Sequence, residues 1–168
     1  SMKHSLIIFT SFFLFSFTFI SCKSSDDGST SSTGLFVTVG YSGTILTSPE
    51  GTTWTERTSG VSKHLNDVTY GNGLFVTVGR RKGTILTSSD GTTWTSRGDG
   101  TSENLYEVTY GNGLFVIVGY GTILTSSDGT TWTSSTSSEN LYVVTYGNGL
   151  FVTVSGNGTI FTPSAGIP

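Results

Sequence analysis

The chain has 168 residues and a net charge of −3, and only 11% of its residues are charged, against roughly 25% in an ordinary soluble domain. It is long enough to form one domain with a sizeable core. Its scattered charges form no basic stripe that could neutralise phosphates, which argues against a nucleic-acid partner. Cys22 is the only cysteine, which excludes an internal disulfide framework and a metal site built from several cysteines.

The first 22 residues have the pattern of an export signal. Lys3 and His4 precede an apolar run over residues 6–20, and such a run would reach only about 22 Å as a helix, short of the ~30 Å hydrocarbon layer of a membrane. The run ends in FISC, which resembles the lipobox of bacterial lipoproteins, with Phe19 where a leucine is usual. The resemblance implies cleavage before Cys22 and a lipid on its thiol. An ordinary cleaved signal with an incidental cysteine is the alternative.

A polar, Ser-rich stretch follows the cysteine and has the composition of a flexible tether. We assign residues 1–21 to a secretory lipoprotein signal peptide, residues 22–33 to the lipidated cysteine and a flexible Ser/Asp/Gly tether, and residues 34–168 to a repeat domain. Lys23 rather than Asp after the cysteine implies, by the same resemblance, an exported protein anchored in the outer membrane. Whether it faces the cell surface or the periplasm is left open.

The rest of the sequence repeats one unit of about forty residues. The motif GLFV begins at Gly34, Gly73, Gly113 and Gly149, so successive copies lie 39, 40 and 36 residues apart. The motif GTI recurs with it at spacings of 40, 38 and 37 residues. A repeat of this length indicates stacked supersecondary units rather than one irregular domain.

Each unit contains four short segments rich in β-branched and aromatic residues, separated by Gly-rich and Asp-rich turns. The segments of the second unit are residues 68–70, 74–78, 84–87 and 93–95. They are too short for helices and predict four antiparallel strands joined by hairpins. Apolar side chains point to both faces, since Val76 alternates with Phe75, so each sheet needs cover on both sides. The sequence therefore predicts an all-β fold of β-propeller repeats, with four strands per blade and about 3.5 blades in the chain.

The turn SSDGTTW occurs twice, and SPEGTTW is a third copy. Asp-Gly favours a tight turn, the carboxylate can accept backbone N–H groups, and the Trp can fold back onto the sheet. The turn resembles the Asp-box, or BNR repeat, of sialidase-type propellers and of propellers like the photosystem II assembly and stability factors, with one residue fewer than usual between Asp and Trp. The residues assigned to these structural turns are Glu50, Gly51, Trp54, Asp90, Gly91, Trp94, Asp128, Gly129 and Trp132.

The pattern contains fourteen predicted strands, whereas four complete blades need sixteen. The missing pair is the first strand of the first blade and the last strand of the final blade, which would meet at the seam of a ring. Three explanations are open: a four-bladed ring that closes imperfectly, a homodimer in which two chains complete one ring, and a fragment of a longer repeat protein.

Few residues are suited to catalysis. A sialidase needs a cluster of arginines with a Tyr/Glu pair and an acid, but Arg57, Arg80, Arg81 and Arg97 do not recur at equivalent positions in successive units. His64 is the only histidine after the leader, which leaves little material for a Ser/His/Asp triad. We therefore expect no enzyme and no catalytic residue.

Metal and cofactor sites are also not expected. Asp90 and Asp128 could be read as calcium ligands, but each lies in a two-residue turn with no second carboxylate nearby, so turn capping is the better interpretation. Six aromatic residues recur at the repeat period, which favours packing between blades over a single ligand box. They are Trp54, Trp94, Trp132, Tyr70, Tyr110 and Tyr146.

The hairpin tips and inter-blade connections differ between copies, and variable loops on a rigid scaffold are where binding usually occurs. Residues 80–82, RRK, form the one concentrated positive spot. The candidate partner-binding residues are Arg57, Lys63, His64, Arg80, Arg81 and Lys82. A solvated tip without a partner is the alternative interpretation of RRK.

These observations predict a non-enzymatic, lipid-anchored envelope lipoprotein whose propeller loops bind a protein or glycan. A periplasmic assembly or stability factor is the first alternative, as the photosystem-factor resemblance implies. A sialidase-like glycoside hydrolase is the second.

Overall fold

The computed structural model describes the main chain of residues 19–23 and all atoms of residues 34–97 and 101–162. The predicted leader up to residue 18 and the tether over residues 24–33 lie outside the described residues, as do residues 98–100 and 163–168.

The described strands form four antiparallel sheets, each of which follows the chain order. Blade 1 contains β1 (Phe19–Lys23), β2 (Leu35–Val39), β3 (Ile45–Ser48) and β4 (Thr55–Arg57). Blade 2 contains β5 (Leu65–Gly71), β6 (Leu74–Gly79), β7 (Thr84–Ser88) and β8 (Thr95–Arg97). Blade 3 contains β9 (Leu105–Gly111), β10 (Leu114–Gly119), β11 (Thr122–Ser126) and β12 (Thr133–Thr136). Blade 4 contains β13 (Leu141–Gly147), β14 (Leu150–Ser155) and β15 (Ile160–Phe161).

The predicted all-β fold with four-stranded antiparallel blades is confirmed. Local chemistry explains the hairpins: in the GNG turn between β5 and β6, Asn72 has φ 45° and Gly73 has φ 78°. Two consecutive positive φ values match the twist of the flanking strands, and Asn and Gly are the residues that tolerate them.

Two details of the strand prediction are wrong. The first blade does have a first strand among the described residues, because β1 pairs with β2 from Phe19↔Val39 to Lys23↔Leu35. The fourth strand of blades 1 to 3 begins one residue after the Trp, at Thr95 in blade 2. The backbone N–H of Thr93 is already bonded to the Asp90 carboxylate, so the ladder with β7 starts only beyond this turn.

The hydrophobic core lies between the blades. One cluster joins Val37, Val39 and Ile45 of blade 1 to Leu65, Val68, Phe75 and Leu86 of blade 2. The equivalent cluster joins Val76, Val78 and Ile85 of blade 2 to Leu105, Val108, Phe115 and Leu124 of blade 3. A smaller cluster joins blade 3 to blade 4 through Val116, Val118, Leu141 and Val144. Each blade therefore has a forward face, which covers the next blade, and a rear face, which is covered by the previous one.

The innermost strands follow one another around the arc. β1 packs against β5, β5 against β9, and β9 against β13. Within the described strands, β13 makes no extensive contact with β1. The four described blades therefore follow an arc whose first and last blades form no junction like the three between the other blades.

Two specific contacts recur at the blade junctions. The ring of Tyr110 covers Gly71, where an added Cβ would lie 2.1 Å from Tyr110 Cγ, and Tyr146 covers Gly111 in the same way. The inner-strand carboxylate of one blade also accepts a backbone N–H from the next blade: Asp67 Oδ2 from Val108 at 2.8 Å, and Glu107 Oε2 from Val144 at 2.7 Å.

Candidate binding site

The inner strands of blades 2, 3 and 4 each contain one unpaired residue. Between Leu65 and Asp67, and at the equivalent points in β9 and β13, the ladder register shifts by one residue. The extra residues are Asn66, Tyr106 and Tyr142. Because a β-bulge re-aims the side chain that it inserts, the fold has a repeated device for placing a side chain at the end of the inner strand.

The bulged tyrosines belong to a set of five neighbouring residues that are drawn from all four blades. The rings of Tyr106 and Tyr142 stack with centroids 4.7 Å apart and planes 17° apart. The guanidinium of Arg80, in the β6–β7 hairpin, lies 5.9 Å from the centroid of the Tyr106 ring. The backbone N–H of Arg80 donates to the carbonyl of His64 at 3.0 Å, and the His64 ring meets Tyr41 edge-on at 4.5 Å. We call these five residues the aromatic rim.

The aromatic rim combines exposed flat surfaces with a positive charge. Tyr41 and Tyr142 remain 46% and 44% exposed. Burial raises the pKa of Tyr106, the neighbouring Tyr142 raises it further, and the charge of Arg80 acts in the opposite direction. The guanidinium of Arg80 lies over the face of the Tyr106 ring, where the electron-rich face attracts a cation. Such a surface can stack on a sugar or a planar group and can attract an anionic end.

The predicted partner-binding residues are only partly brought together. Arg80 joins the aromatic rim, and the Nδ1 of His64 accepts the backbone N–H of Ser42 at 3.0 Å. Arg81 and Lys82 form the hairpin tip with φ values of 68° and 60°, and the backbone N–H of Arg81 donates to the Asn104 side chain. Lys63 lies half-buried in the connection that leads to β5.

Arg57 is not in a loop, contrary to the sequence prediction. It ends β4, and its Nε donates to Thr47 Oγ1 at 2.9 Å; Arg97 makes the same bond with Thr87 at 2.8 Å. These hydrogen bonds link the outermost strand to the adjacent strand in blades 1 and 2. Arg57 also borders a shallow open depression of about 710 Å³ whose other walls are residues 42–44, Glu56 and residues 58–62.

The Asp-box turns are closed by a fixed set of hydrogen bonds. Asp90 Oδ1 accepts the N–H groups of Thr92 and Thr93, each at 2.8 Å, and the Ser88 hydroxyl accepts the N–H of Gly91. These N–H groups hold the pKa of Asp90 well below its usual range, and Asp128 makes the same contacts in blade 3. The carboxylates thus have backbone partners inside the turn.

The three turns are not identical. Trp94 Nε1 donates to the Gly91 carbonyl at 3.0 Å, whereas Trp132 Nε1 has no acceptor among the described residues. In blade 1, Glu50 accepts the N–H of Thr53 and the hydroxyl of Thr52, and its pKa is lowered mainly by the Thr53 N–H. Gly51 and Trp54 complete that turn, as Gly129 does in blade 3.

Sequence reasoning missed the bulged tyrosines and the inter-blade carboxylates. Tyr106 and Tyr142 share the motif ENLY, but the sequence prediction considered only the recurring Tyr70, Tyr110 and Tyr146. Asp67 and Glu107 occupy the same repeat position before VTY, where a carboxylate interrupts an apolar strand. That interruption was the signal that could have identified them, because a buried charge needs a partner.

Among residues 19–23, 34–97 and 101–162, no three His, Cys, Asp or Glu side chains converge as a metal site would require. The described part of the chain also has no helix long and apolar enough to span a membrane.

The chain matches no protein-family model and no curated protein sequence. Solved structures do resemble it. The computationally designed protein Ika4 is 14% identical, with a TM-score of 0.66 over 98% of this chain and 100% of its own. YCF48 from Cyanidioschyzon merolae is 14% identical, with a TM-score of 0.62 over 85% of this chain and 50% of its own. A structure of YCF48 bound to a D1 peptide is 16% identical, with a TM-score of 0.59 over 88% of this chain and 48% of its own.

These similarities define a propeller-like partial structure, distantly similar to the Asp-box propeller YCF48 and to designed propellers. The chain spans about half the length of YCF48.

Proposed function

We propose that this protein is a non-enzymatic, lipid-anchored envelope protein whose aromatic rim binds a protein or glycan partner. Two groups of side chains support the proposal: Tyr106 stacks on Tyr142 beneath the Arg80 guanidinium, and Tyr41 meets the His64 ring. The backbone hydrogen bond from Arg80 to the His64 carbonyl joins the two groups. Repeated bulges place two of these residues. None of the five rim residues is a carboxylate, so the rim lacks the pair of acids that glycoside hydrolysis uses.

Binding is tested with arrays of envelope glycans and of extended peptides, probed with the full chain in detergent. We expect binding to one class of probe. Arg80→Ala or Tyr142→Ala should each lower the affinity at least about tenfold, because arginine and tyrosine are enriched among the residues that dominate binding energy. Arg97→Ala is the matched control, because it removes the same charge from an outer strand. Equal losses from Arg97→Ala and Arg80→Ala would contradict a site at the rim.

The lipid anchor is a separate element of the proposal and depends on Cys22, which lies in β1. Cleavage before Cys22 would leave only Cys22 and Lys23 of that strand in the mature chain. We expect the wild-type chain to incorporate labelled fatty acid in cells and to partition into detergent. Cys22→Ser is expected to abolish the label. Label that persists in Cys22→Ser would exclude this thiol as the attachment site.

A periplasmic assembly or stability factor is the alternative favoured by the likeness to YCF48, for which a peptide complex is known. Protease added to intact cells separates the two proposals: degradation of the chain supports display on the surface, and protection supports a periplasmic role. Turnover of a fluorogenic sialoside that is lost in Arg80→Ala would replace both with a glycosidase.

A further inference from the structure

The two ends of the arc expose matching halves of the junction that is buried between its blades. On the forward face of blade 4, Val143, Leu150 and Ile160 are 45%, 49% and 67% exposed. Ile160 occupies the repeat position of Ile45 and Ile85, which are fully buried against the next blade. The forward face of blade 4 is therefore a blade-binding surface without a blade among the described residues.

The rear face of blade 1 is the complementary half. Phe36 and Leu46 occupy the repeat positions of Phe75 and Leu86. In blade 2 those side chains are fully buried against the forward face of blade 1, whereas Phe36 and Leu46 are only partly buried. One chain therefore carries both halves of a blade junction: the forward face of blade 4 and the rear face of blade 1.

We propose that two copies of this chain join head to tail, with the rear face of blade 1 in each copy packed on the forward face of blade 4 in the other. Two four-bladed arcs then close into one ring with a two-fold axis. The contact repeats the apolar packing that already joins blades 1 to 2 and 2 to 3. This proposal is independent of what the aromatic rim binds.

The chemistry of blade 4 fits an apolar junction of this kind. Val143 replaces the carboxylate that Asp67 and Glu107 extend to the next blade, so no charge needs a partner N–H at this face. Gly147 has no atom within 4 Å of an added Cβ, whereas Gly71 and Gly111 are covered by tyrosines. Cys22 pairs with Phe36 in blade 1 as Tyr70 pairs with Phe75 in blade 2, so Cys22 occupies the repeat position of the tyrosine. Blade 1 of the second copy therefore has no tyrosine at the position that would cover Gly147.

A closed ring would also join two aromatic rims on one face. Each rim begins at Tyr41 in blade 1 and ends at Tyr142 in blade 4, so the end of one row would come beside the start of the other. The dimer would present two equivalent binding rows related by the two-fold axis.

The test is the molar mass of the full chain in detergent, measured by light scattering with the detergent contribution subtracted, over a hundredfold range of concentration. We expect twice the chain mass of 17.8 kDa. A monomer throughout would overturn the proposal. A mass that grows without limit would also overturn it, because a head-to-tail contact that does not close makes open fibres.

Single substitutions identify the two faces. Ile160→Asp on the forward face and Leu46→Asp on the rear face are each expected to raise the dimer dissociation constant at least about 100-fold, since a buried anchor becomes an unpaired buried charge. Tyr120→Asp is the control, because Tyr120 is 51% exposed on the β10–β11 hairpin, outside both faces. Near-ultraviolet circular dichroism verifies that every variant used is folded.

Mixing the two variants distinguishes head-to-tail pairing from any other dimer. A complex of Ile160→Asp with Leu46→Asp has one junction with both faces intact, whereas a dimer of either variant alone has none. We therefore expect the mixture to dimerise under conditions in which each variant alone is monomeric. A mixture that remains monomeric, or a Tyr120→Asp chain that dissociates like the other variants, would refute the assignment of these faces.

Discussion

Gly71 and Gly111 are positions at which only a hydrogen atom fits beneath the ring of the next blade. An added Cβ would lie 2.1 Å from the Cγ of Tyr110 or Tyr146, and neither glycine has a positive φ. The requirement is therefore one of space, set by a residue about forty positions away in the sequence.

We expect Gly71→Ala and Gly111→Ala each to lower the free energy of unfolding by at least about 1–3 kcal/mol, the usual cost of overpacking. Gly147→Ala is the matched control, because it has the same sequence context and no atom within 4 Å. Urea unfolding followed by tryptophan fluorescence measures the difference. Equal effects at all three positions would mean that backbone freedom, rather than contact with the ring, decides these glycines.

Asp67 is a carboxyl group in an unusual environment. It is 5% exposed, and its two oxygens accept the N–H groups of Val68 and Val108. Burial, opposed by these N–H groups and reinforced by the charge of Glu107, raises the pKa of Asp67 to about 7. The folded chain therefore keeps a proton that the unfolded chain releases between about pH 4 and pH 7.

It follows that rising pH destabilises the fold through this group, with most of the loss complete near pH 7. The expected loss is a few kcal/mol, since each unit of pKa shift corresponds to about 1.4 kcal/mol. Asp67→Asn, which does not titrate, should flatten the dependence of unfolding free energy on pH over this range. The measurement is urea denaturation at intervals from pH 4 to 8. An unchanged slope in Asp67→Asn would assign the dependence to another group.

Among the elements, two Asp-box hairpins differ by one methylene group in the acidic side chain that caps the turn, Glu50 in blade 1 and Asp90 in blade 2. Asp90 bonds two successive backbone N–H groups, whereas the longer Glu50 bonds the N–H of Thr53 and the hydroxyl of Thr52. In the first copy of the turn, the backbone N–H of Thr52 therefore lacks the carboxylate acceptor that Thr92 has in the second copy.

Glu50→Asp is expected to slow hydrogen exchange at the amide of Thr52, and Asp90→Glu to speed exchange at the amide of Thr92, because each substitution converts one turn toward the other. Residue-resolved exchange by NMR measures both amides. If the two substitutions shift exchange in the same direction, side-chain length does not control the turn.

The elements also show why sequence reasoning succeeded and where it could not. The forty-residue period, the hairpin turns and the apolar strands are local patterns, so GLFV, GTI and GNG were enough to predict blades. A bulge such as that at Tyr106 exists only relative to the partner strand, so no local pattern marks it. FISC is apolar and short enough to suit either the end of a leader or a strand, and the leader interpretation concealed β1.

At the scale of the whole molecule, the blades differ in how much of them is covered. The inner blades have neighbours on both sides, whereas blade 4 keeps one face open and has only three strands among the described residues. Stability in such arrays is a sum of unit and interface contributions. Blades 1 and 4 each have one neighbour, and blade 4 also has one strand fewer, so blade 4 should open first.

We expect backbone hydrogen exchange to be fastest in β13–β15 and slowest in β6 and β10. Protection in β13–β15 should rise with protein concentration, because the proposed second copy covers this face. The measurement is hydrogen exchange by mass spectrometry at two concentrations a hundredfold apart. Protection that is independent of concentration, or lowest in blade 2, would contradict this distribution of stability.

The tyrosine-on-glycine contact has a consequence for how such a chain can change by duplication. Blade 3 carries both Tyr110, which covers the glycine before it, and Gly111, which receives Tyr146 of the blade after it. A duplicated middle unit thus contains both the tyrosine and the glycine of this contact, so its insertion preserves the contact on both sides. The same coupling penalises a change at Gly71 or Gly111 alone, whereas Gly147, in the third copy of TYGNG, has no such ring above it.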